Sequence, residues 1–322
     1  MADAALAPEV DHDEADLRLL ESALARLRAT GRIEYAGEYG AELATFIPFV
    51  CWLKREGHLE GRRVVSYAGM RPYYGFLRDA EFEAKPGPRT WVKPHRRDWP
   101  TNSTYTATRK PWHALPDYRA AFAGQGPAFA REVLFIQNKF AVEWRRGPIN
   151  YLPLDTLSDL LDLSDRFDIV YSRPRAMAGR DEYVTDENSF CDYPDLPLVR
   201  GREGVLVLED HCEATGADYN LTKLQILART HHFAAVQGGG AHLLAYFGQS
   251  ALLLLHLKGE EFPHAYQAGP YRYLAEPAPM LLLARDNPSF RSAVPVLAQC
   301  RREGGAMTVP GALQPVVDAL RC

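Results

Sequence analysis

Three consecutive glycines, Gly238–Gly240, give the clearest chemical signal in the sequence. They follow a strand-like apolar segment at 232–236 and precede residues with helical spacing at 241–247. Backbone N–H groups at such a strand-to-helix turn are not shielded by side chains, and they can bind phosphate. A tight turn that only needs glycine backbone angles would show the same residues, so both interpretations stay open. The pattern is not the GxGxxG of dinucleotide-binding proteins, because Leu243 stands where the third glycine would be.

Other polar residues lie at the ends of the predicted strands. Lys139, Arg173 and Lys258 each follow an apolar segment, and cations at the carboxyl ends of parallel strands would face one crevice. A diphosphate would accept charge-assisted hydrogen bonds there. Glu209 ends another strand-like segment, where it could accept hydrogen bonds from ribose hydroxyls. Ordinary solvated surface positions are the alternative interpretation. The predicted nucleotide-binding set is Lys139, Arg173, Glu209, Gln237, Gly238, Gly239, Gly240 and Lys258.

A second candidate cluster lies in the segment Gly37-Glu38-Tyr39-Gly40-Ala41-Glu42, where a glycine-containing turn opens a helix. A carboxylate held in such a turn can act as a general acid or base. It can equally complement the helix dipole without any chemical role. We rank Glu38 above Glu42, since Glu38 lies on the turn itself. His95 and Asp98, in a segment rich in proline and tryptophan, are the alternative bases.

These residues need a scaffold, and the pattern of apolar segments predicts one. Strands alternating with helices through the second half of the chain predict a doubly wound parallel sheet. A change of character near residues 122–130 predicts a boundary between two α/β domains, 1–125 and 126–322. The predicted strands are 64–67, 132–138, 168–173, 204–209, 232–236 and 251–256, and the predicted helices are 13–30, the segment from the glycine turn to Gly57, 155–166, 219–229, 241–247 and a closing helix at 313–320.

Composition excludes several classes of protein. The 322 residues are 47% hydrophobic and 24% charged, which is typical of a folded chain, and the net charge of −4 disfavours nucleic acid as a partner. Five scattered cysteines predict neither a disulfide scaffold nor a zinc site. An acidic start to the chain predicts a cytoplasmic protein without a signal peptide. The uncharged segment 233–257 is interrupted by glycines, which predicts a buried strand–turn–helix–turn–strand rather than a membrane span.

The common catalytic motifs are absent from the sequence. It contains no Walker A motif, no GxSxG, no HExxH and no protein-kinase signature. The only Asp-x-Asp is Asp11-His12-Asp13, close to the start of the chain, where a helix cap or solvated acid is the simpler interpretation. We therefore predict no metal site.

Three segments resemble bacterial glycosyltransferases of the kind built from two Rossmann-like domains (GT-B). They are residues 37–42 with Ile47-Pro48 and Trp52-Leu53, residues 137–140 with Glu143-Trp144 and Asn150, and residues 233–240 with Tyr246-Phe247-Gly248. Together they span most of residues 35–257, although the match is patchy.

The resemblance implies an α/β fold in which two Rossmann-like domains face a cleft, with the acceptor on 1–125 and the nucleotide sugar on 126–322. It implies transfer of a hexosyl or deoxyhexosyl group to a small-molecule or glycan acceptor, with the nucleotide sugar as co-substrate and no further cofactor. The acid motif common in retaining enzymes is not recognisable, which favours inversion. A dehydrogenase or epimerase on the same sheet, and a non-catalytic protein that binds nucleotide or glycan, remain the alternatives.

Overall fold

The computed structural model describes residues 14–86, 89, 99–100, 110–142, 147–175, 191–257 and 270–321. The N-terminal part contains α1 (Glu14–Thr30), β1 (Arg32–Glu34), α2 (Tyr39–Ala41), α3 (Ile47–Arg55), β2 (Arg63–Tyr67), β3 (Phe82–Lys85) and α4 (Tyr118–Ala121). A π-helical turn at Glu42–Phe46 joins α2 to α3, so the helix predicted after the glycine turn forms as one continuous helical stretch. A 3-10 segment, Ala68–Tyr74, follows β2.

The C-terminal part begins with the first strand of a larger sheet. Its elements are β4 (Val133–Gln137), α5 (Leu154–Leu161), β5 (Asp168–Ser172), α6 (Leu196–Arg200), β6 (Val205–Val207), α7 (Leu208–Thr215), α8 (Tyr219–Arg229), β7 (His232–Val236), α9 (Gly239–Ala245), β8 (Ala251–Leu255), β9 (Met280–Ala284), α10 (Asn287–Gln299), β10 (Arg301–Glu303), β11 (Ala306–Thr308) and α11 (Gln314–Arg321). The closing helix predicted at 313–320 is α11, which packs against β9.

Six of these strands form a parallel sheet in the order β6-β5-β4-β7-β8-β9. The chain builds outward from β4 to β6, returns to the centre, and then builds outward in the other direction from β7 to β9. The two central strands, β4 and β7, are paired with Gln137 opposite Ala235. The strand order therefore reverses between them, and doubly wound sheets bind ligands outside the carboxyl ends of the strands at this point. The predicted doubly wound parallel sheet is confirmed.

Helices cover both faces of this sheet, which explains its apolar strands. Every residue of β7 and β8 is buried, as expected for parallel strands without a solvent-facing side. Alternate residues of β4 point to opposite faces. Ile136 packs with apolar residues of α5, α10 and α11, whereas Phe135 shares a core with Phe46 and Tyr74 of the N-terminal part.

The N-terminal part has its own parallel sheet, in the order β1-β2-β3. Within the residues described, no strand joins it to the six-stranded sheet. The arrangement of two Rossmann-like domains around a cleft, which the resemblance implied, is not confirmed. A boundary near residue 125, in the connection between α4 and β4, remains a prediction.

One predicted strand, 204–209, is shorter than expected. β6 ends at Val207, and α7 begins at Leu208 because Leu208 and Cys212, one helical turn apart, are both buried. Glu209 consequently lies in the first turn of a helix, whose N-terminus favours acidic side chains. The predicted strand–turn–helix–turn–strand at 233–257 is confirmed as β7, α9 and β8. Across the described part of the chain, no helix combines the length and apolar character needed to cross a membrane.

Candidate functional site

The ends of β4 and β7 bring Lys139 to the glycine turn. A Cβ atom on Gly238 would lie 3.0 Å from Lys139 Nζ, so the ammonium group sits directly against the backbone of the turn. Gly238 has a φ of +135°, a conformation that residues with a Cβ rarely adopt. Lys139 and Gly238, both predicted to bind a diphosphate, are thus in contact at the point where the strand order reverses.

The loop that carries Lys139 is held by Asn138, which is fully buried. Its Oδ1 accepts hydrogen bonds from the backbone N–H of Lys139 and of Leu152, both at 2.9 Å. Its Nδ2 donates to the Tyr171 hydroxyl at 3.0 Å. The backbone of Lys139 is therefore fixed relative to both β4 and β5.

Gln237, between β7 and the glycine turn, has a side-chain amide without a hydrogen-bond partner in the described part of the chain. Its backbone N–H bonds to the Leu255 carbonyl at 3.0 Å. The side chain is completely buried, and among the described residues neither its nitrogen nor its oxygen has a hydrogen-bond partner. A buried polar group without a partner costs about 1–3 kcal/mol. Such an amide is suited to a ligand that reaches this end of the sheet.

The other two glycines owe their identity to packing. A Cβ on Gly239 would lie 2.9 Å from Tyr39 Cδ1 and 3.1 Å from Gly40 Cα, because α2 and α9 meet backbone to backbone. A Cβ on Gly240 would lie 2.8 Å from Gln137 Cγ. The tight-packing interpretation of the glycines therefore holds for Gly239 and Gly240. Since α9 is only seven residues long, the candidate site depends on Lys139, Gly238 and Gln237 more than on a helix dipole.

The same contact brings Glu38 to the crevice. Glu38 is exposed, directly precedes α2, and lies two residues before Gly40, whose backbone touches Gly239. Its turn is fixed by two hydrogen bonds to main-chain oxygens. The Tyr35 hydroxyl donates to Glu38 O at 2.7 Å, and Arg89 Nη1 donates to Gly37 O at 2.9 Å. The turn that precedes α2 and carries Glu38 thus lies next to the glycine turn.

Glu42 has a different environment, because it is completely buried. Its Oε2 lies 2.7 Å from Arg89 Nη2, and its Oε1 accepts hydrogen bonds from the Tyr74 hydroxyl at 2.6 Å and from Ser66 Oγ. A carboxylate enclosed by three protein partners cannot meet an acceptor hydroxyl without disrupting the core. We therefore remove Glu42 from the candidate bases and assign it a structural role.

Three further predicted residues cannot be placed in the site. His95, Asp98 and Lys258 lie outside the described residues.

Arg173 was expected to face the crevice, but its side chain is buried. Its Nε and Nη2 bond to the two carboxylate oxygens of Asp195 at 2.6 and 2.8 Å, and both side chains are buried. The Tyr171 hydroxyl donates to the same carboxylate. Because Asp195 neutralises the guanidinium, Arg173 fits a structural ion pair better than a phosphate contact.

Glu209 is buried beneath the carboxyl end of the sheet. Its Oε1 accepts hydrogen bonds from Ser172 Oγ at 2.9 Å and from the Tyr219 hydroxyl at 3.2 Å. Burial raises the pKa of this carboxyl to about 7. Because Ser172 and Tyr219 already bond to this carboxyl inside the protein, Glu209 fits a structural role better than a contact with ribose hydroxyls.

Lys223 of α8 was missed by sequence analysis. It is buried, its Nζ donates a hydrogen bond to Gln137 Oε1, and burial lowers the pKa of its ammonium group to about 8. The sequence contains one indication of this, because Lys223 stands between apolar residues at helical spacing. Tyr219 and Leu227, four residues to either side, are both buried, so Lys223 interrupts the apolar face of the helix.

In the part of the chain described, no three or more histidine, cysteine, aspartate or glutamate side chains lie together in a group that could hold a metal ion.

No family model matches the chain, and no curated protein matches it. Among solved structures, a glycosyl transferase family 9 protein from Veillonella parvula DSM 2008 aligns with a TM-score of 0.42 and 9% sequence identity, over 90% of this chain and 96% of that one. Both the score and the identity are low, so function has to be argued from the residues of this chain.

Proposed function

We propose that the protein is a glycosyltransferase that moves a sugar from a nucleotide sugar to a hydroxyl acceptor without a metal ion. The observation that carries the proposal is the contact of Lys139 Nζ with the Gly238 turn where the strand order reverses, with the Glu38 turn packed beside it. One side of this arrangement suits an anionic donor, and the other side offers a carboxylate.

The donor diphosphate would bind at the carboxyl ends of β4 and β7. Lys139 supplies a charge-assisted hydrogen bond, which is roughly twice as strong as a neutral one. Gly238 allows the ligand to approach the backbone closely, and the amide of Gln237 supplies a further donor and acceptor. Lys139 would supply the positive charge that a metal ion provides in other transferases.

Glu38 would act as the general base. Its carboxylate accepts the proton of the acceptor hydroxyl as the acceptor oxygen forms a bond to the anomeric carbon of the sugar. The bond from that carbon to the diphosphate oxygen breaks, and its electron pair leaves with the nucleoside diphosphate. Lys139 stabilises the charge that develops on this leaving group. Attack from the face opposite the leaving group inverts the configuration of the sugar.

A dinucleotide-dependent dehydrogenase or epimerase is less well supported. The phosphate-binding glycines of that class follow the first strand of the sheet. Here the first strand, β4, ends in Gln137-Asn138-Lys139, and the glycines follow the fourth strand, β7. This arrangement favours a nucleotide sugar over NAD.

Isothermal titration of the full chain with UDP, GDP, ADP, dTDP, CMP and NAD tests the proposal. We expect one nucleoside diphosphate to bind more tightly than CMP and NAD, and its sugar derivative to be consumed when an acceptor is present. Lys139→Ala should weaken this binding about ten- to hundredfold, since hydrogen bonds to charged groups contribute about 1.5–3 kcal/mol.

Arg301→Ala is the matched control, because it removes one positive charge from the exposed strand β10. Preferential binding of NAD would contradict the proposal, as would unchanged nucleotide affinity of Lys139→Ala.

A further inference from the structure

A buried polar chain runs beneath the glycine turn, and Gln137 is its upper member. Gln137 Nε2 donates hydrogen bonds to the backbone oxygens of Asn138 at 3.0 Å and Ser172 at 3.3 Å. Its Oε1 accepts from Lys223 Nζ. Its aliphatic carbons lie directly under Gly240, where a Cβ would approach Gln137 Cγ to 2.8 Å. Gln137 therefore supports both the turn and the peptide that leads to Lys139.

Lys223 determines the orientation of that amide. An ammonium group only donates hydrogen bonds, so the amide oxygen of Gln137 has to face Lys223. The amide nitrogen is then directed to the two backbone carbonyls. Without Lys223, Gln137 could rotate, and its contacts with the Asn138 carbonyl and with Gly240 would no longer be fixed.

Glu209 is the lower member of the chain. Tyr219 connects Lys223 to Glu209, because its ring centroid lies 5.6 Å from Lys223 Nζ and its titratable hydroxyl donates a hydrogen bond to Glu209 Oε1 at 3.2 Å. The aromatic ring of Phe135 lies on the other side, 5.8 Å from Lys223 Nζ. Asn220, which also lies on α8, accepts a hydrogen bond at its Oδ1 from the Tyr73 hydroxyl of the N-terminal part at 2.9 Å.

Burying two ionisable side chains, Lys223 and Glu209, costs free energy. Desolvation of two charges offsets much of their attraction, and well-packed apolar residues are often as stabilising or more so. Stability alone therefore gives no reason for Lys223 and Glu209. Their connection to Gln137, directly beneath the glycine turn, gives one.

We propose that Lys223 is a positioning residue that fixes Gln137 through a hydrogen bond, and through Gln137 the diphosphate-binding turn. Lys223 does not touch the ligand; it acts through the Gln137 amide. The inference rests on the proposed function, since it assigns a support to the same donor site.

A double-mutant cycle on the full chain tests this role. The probe is whichever of UDP, GDP, ADP and dTDP binds the wild-type protein most tightly, measured by isothermal titration. Lys223→Met should weaken binding about three- to tenfold, the range expected for loss of one hydrogen bond. Gln137→Leu removes this bond and the two that its Nε2 donates, so it should weaken binding at least as much. The double variant should bind no more weakly than the weaker single variant, because both substitutions remove the same support.

Leu224→Ala is the control for a loss of stability alone. It removes a buried apolar side chain from the same helix and has no hydrogen bond to Gln137. We expect it to lower the melting temperature and leave nucleotide affinity unchanged. If Lys223→Met does not fold, Gln137→Leu removes the same bond from the other side and is compared with Leu224→Ala in the same way.

The outcomes separate the two proposals. If the wild-type protein binds none of the four diphosphates, the proposed function fails and the positioning role fails with it. If the wild-type protein binds one of them and Lys223→Met binds it equally well, only the positioning role is overturned. Additive losses in the double variant would also overturn it, since Lys223 would then not act through Gln137.

Discussion

The protein contains two buried ion clusters that look similar in composition and differ in what surrounds them. In the N-terminal part, Glu42 contacts Arg89 at 2.7 Å and is further bonded by Tyr74 and Ser66. Beneath the crevice, Lys223 donates a hydrogen bond to Gln137 and lies 5.6 Å from the ring of Tyr219, whose hydroxyl donates to Glu209.

The two clusters differ in the residues that surround them. The Glu42–Arg89 cluster is enclosed: Arg89 also lies over the ring of Tyr67, 4.3 Å from its centroid, and the cluster holds the turn at Gly37. The Lys223 cluster lies under a turn whose neighbour, Gln237, has a buried amide without a partner among the described residues. The Glu42–Arg89 pair holds the backbone of the N-terminal part, whereas a buried amide without a partner among the described residues is suited to a ligand or an ordered water.

The largest expected effect separates the two carboxylates of the glycine-rich turn. If Glu38 is the base, Glu38→Gln should lower turnover about 10²–10⁴-fold while nucleotide affinity stays unchanged. Steady-state release of the nucleoside diphosphate, together with titration of the same ligand, measures both quantities. Glu21→Gln on the exposed face of α1 is the control. Near-normal turnover in Glu38→Gln would pass the role to His95 or Asp98.

The next effect concerns stability. Arg89→Met leaves the buried Glu42 carboxylate without its cation, and breaking a buried pair typically costs about 3–5 kcal/mol. Urea unfolding should therefore show a large decrease in the free energy of unfolding. Arg63→Met, which breaks an exposed pair with Glu83, should cost about 1 kcal/mol or less. Equal effects of the two substitutions would mean that the Glu42–Arg89 cluster does not hold the fold together.

The smallest effect is a pH dependence of stability that comes from the crevice cluster. Burial raises the pKa of Glu209 from 4.5 to about 7, so its contribution to stability falls as pH rises from 4.5 through 7. Burial lowers the pKa of Lys223 from 10.5 to about 8, so its contribution falls as pH decreases from 10.5 through 8. Between pH 7 and 8 both groups are charged, and the pair is least favourable.

The double substitution Glu209→Gln with Lys223→Met removes both titrations. Melting temperatures measured from pH 5 to 9 should show the variant gaining most, relative to the wild-type protein, between pH 7 and 8. A difference that is constant across this range would show that the pair does not titrate as described.

Local sequence patterns predicted much of the fold. The apolar segment 232–236 and the amphipathic segment 219–229 form the strand and the helix with the predicted bounds. The contact between Lys139 and Gly238 followed from a general property of parallel sheets, since the carboxyl ends of adjacent strands lie together.

What could not be predicted depends on partners that are distant in sequence. Gly239 is glycine because of Gly40, and Arg173 is neutralised by Asp195. No spacing rule connects such residues. Glu42 and Glu209 have the residue type expected of a site, but both are buried and already bonded by side chains that are distant in sequence.

A crystal structure of the protein with a bound nucleoside diphosphate tests the central claim most directly, through the distances from the diphosphate oxygens to Lys139 Nζ and to the backbone of Gly238. We predict that at least one oxygen lies within hydrogen-bond distance of the ammonium group, about 2.7–3.2 Å, with the diphosphate against the glycine turn. A diphosphate bound elsewhere, with Lys139 out of reach, would contradict the account.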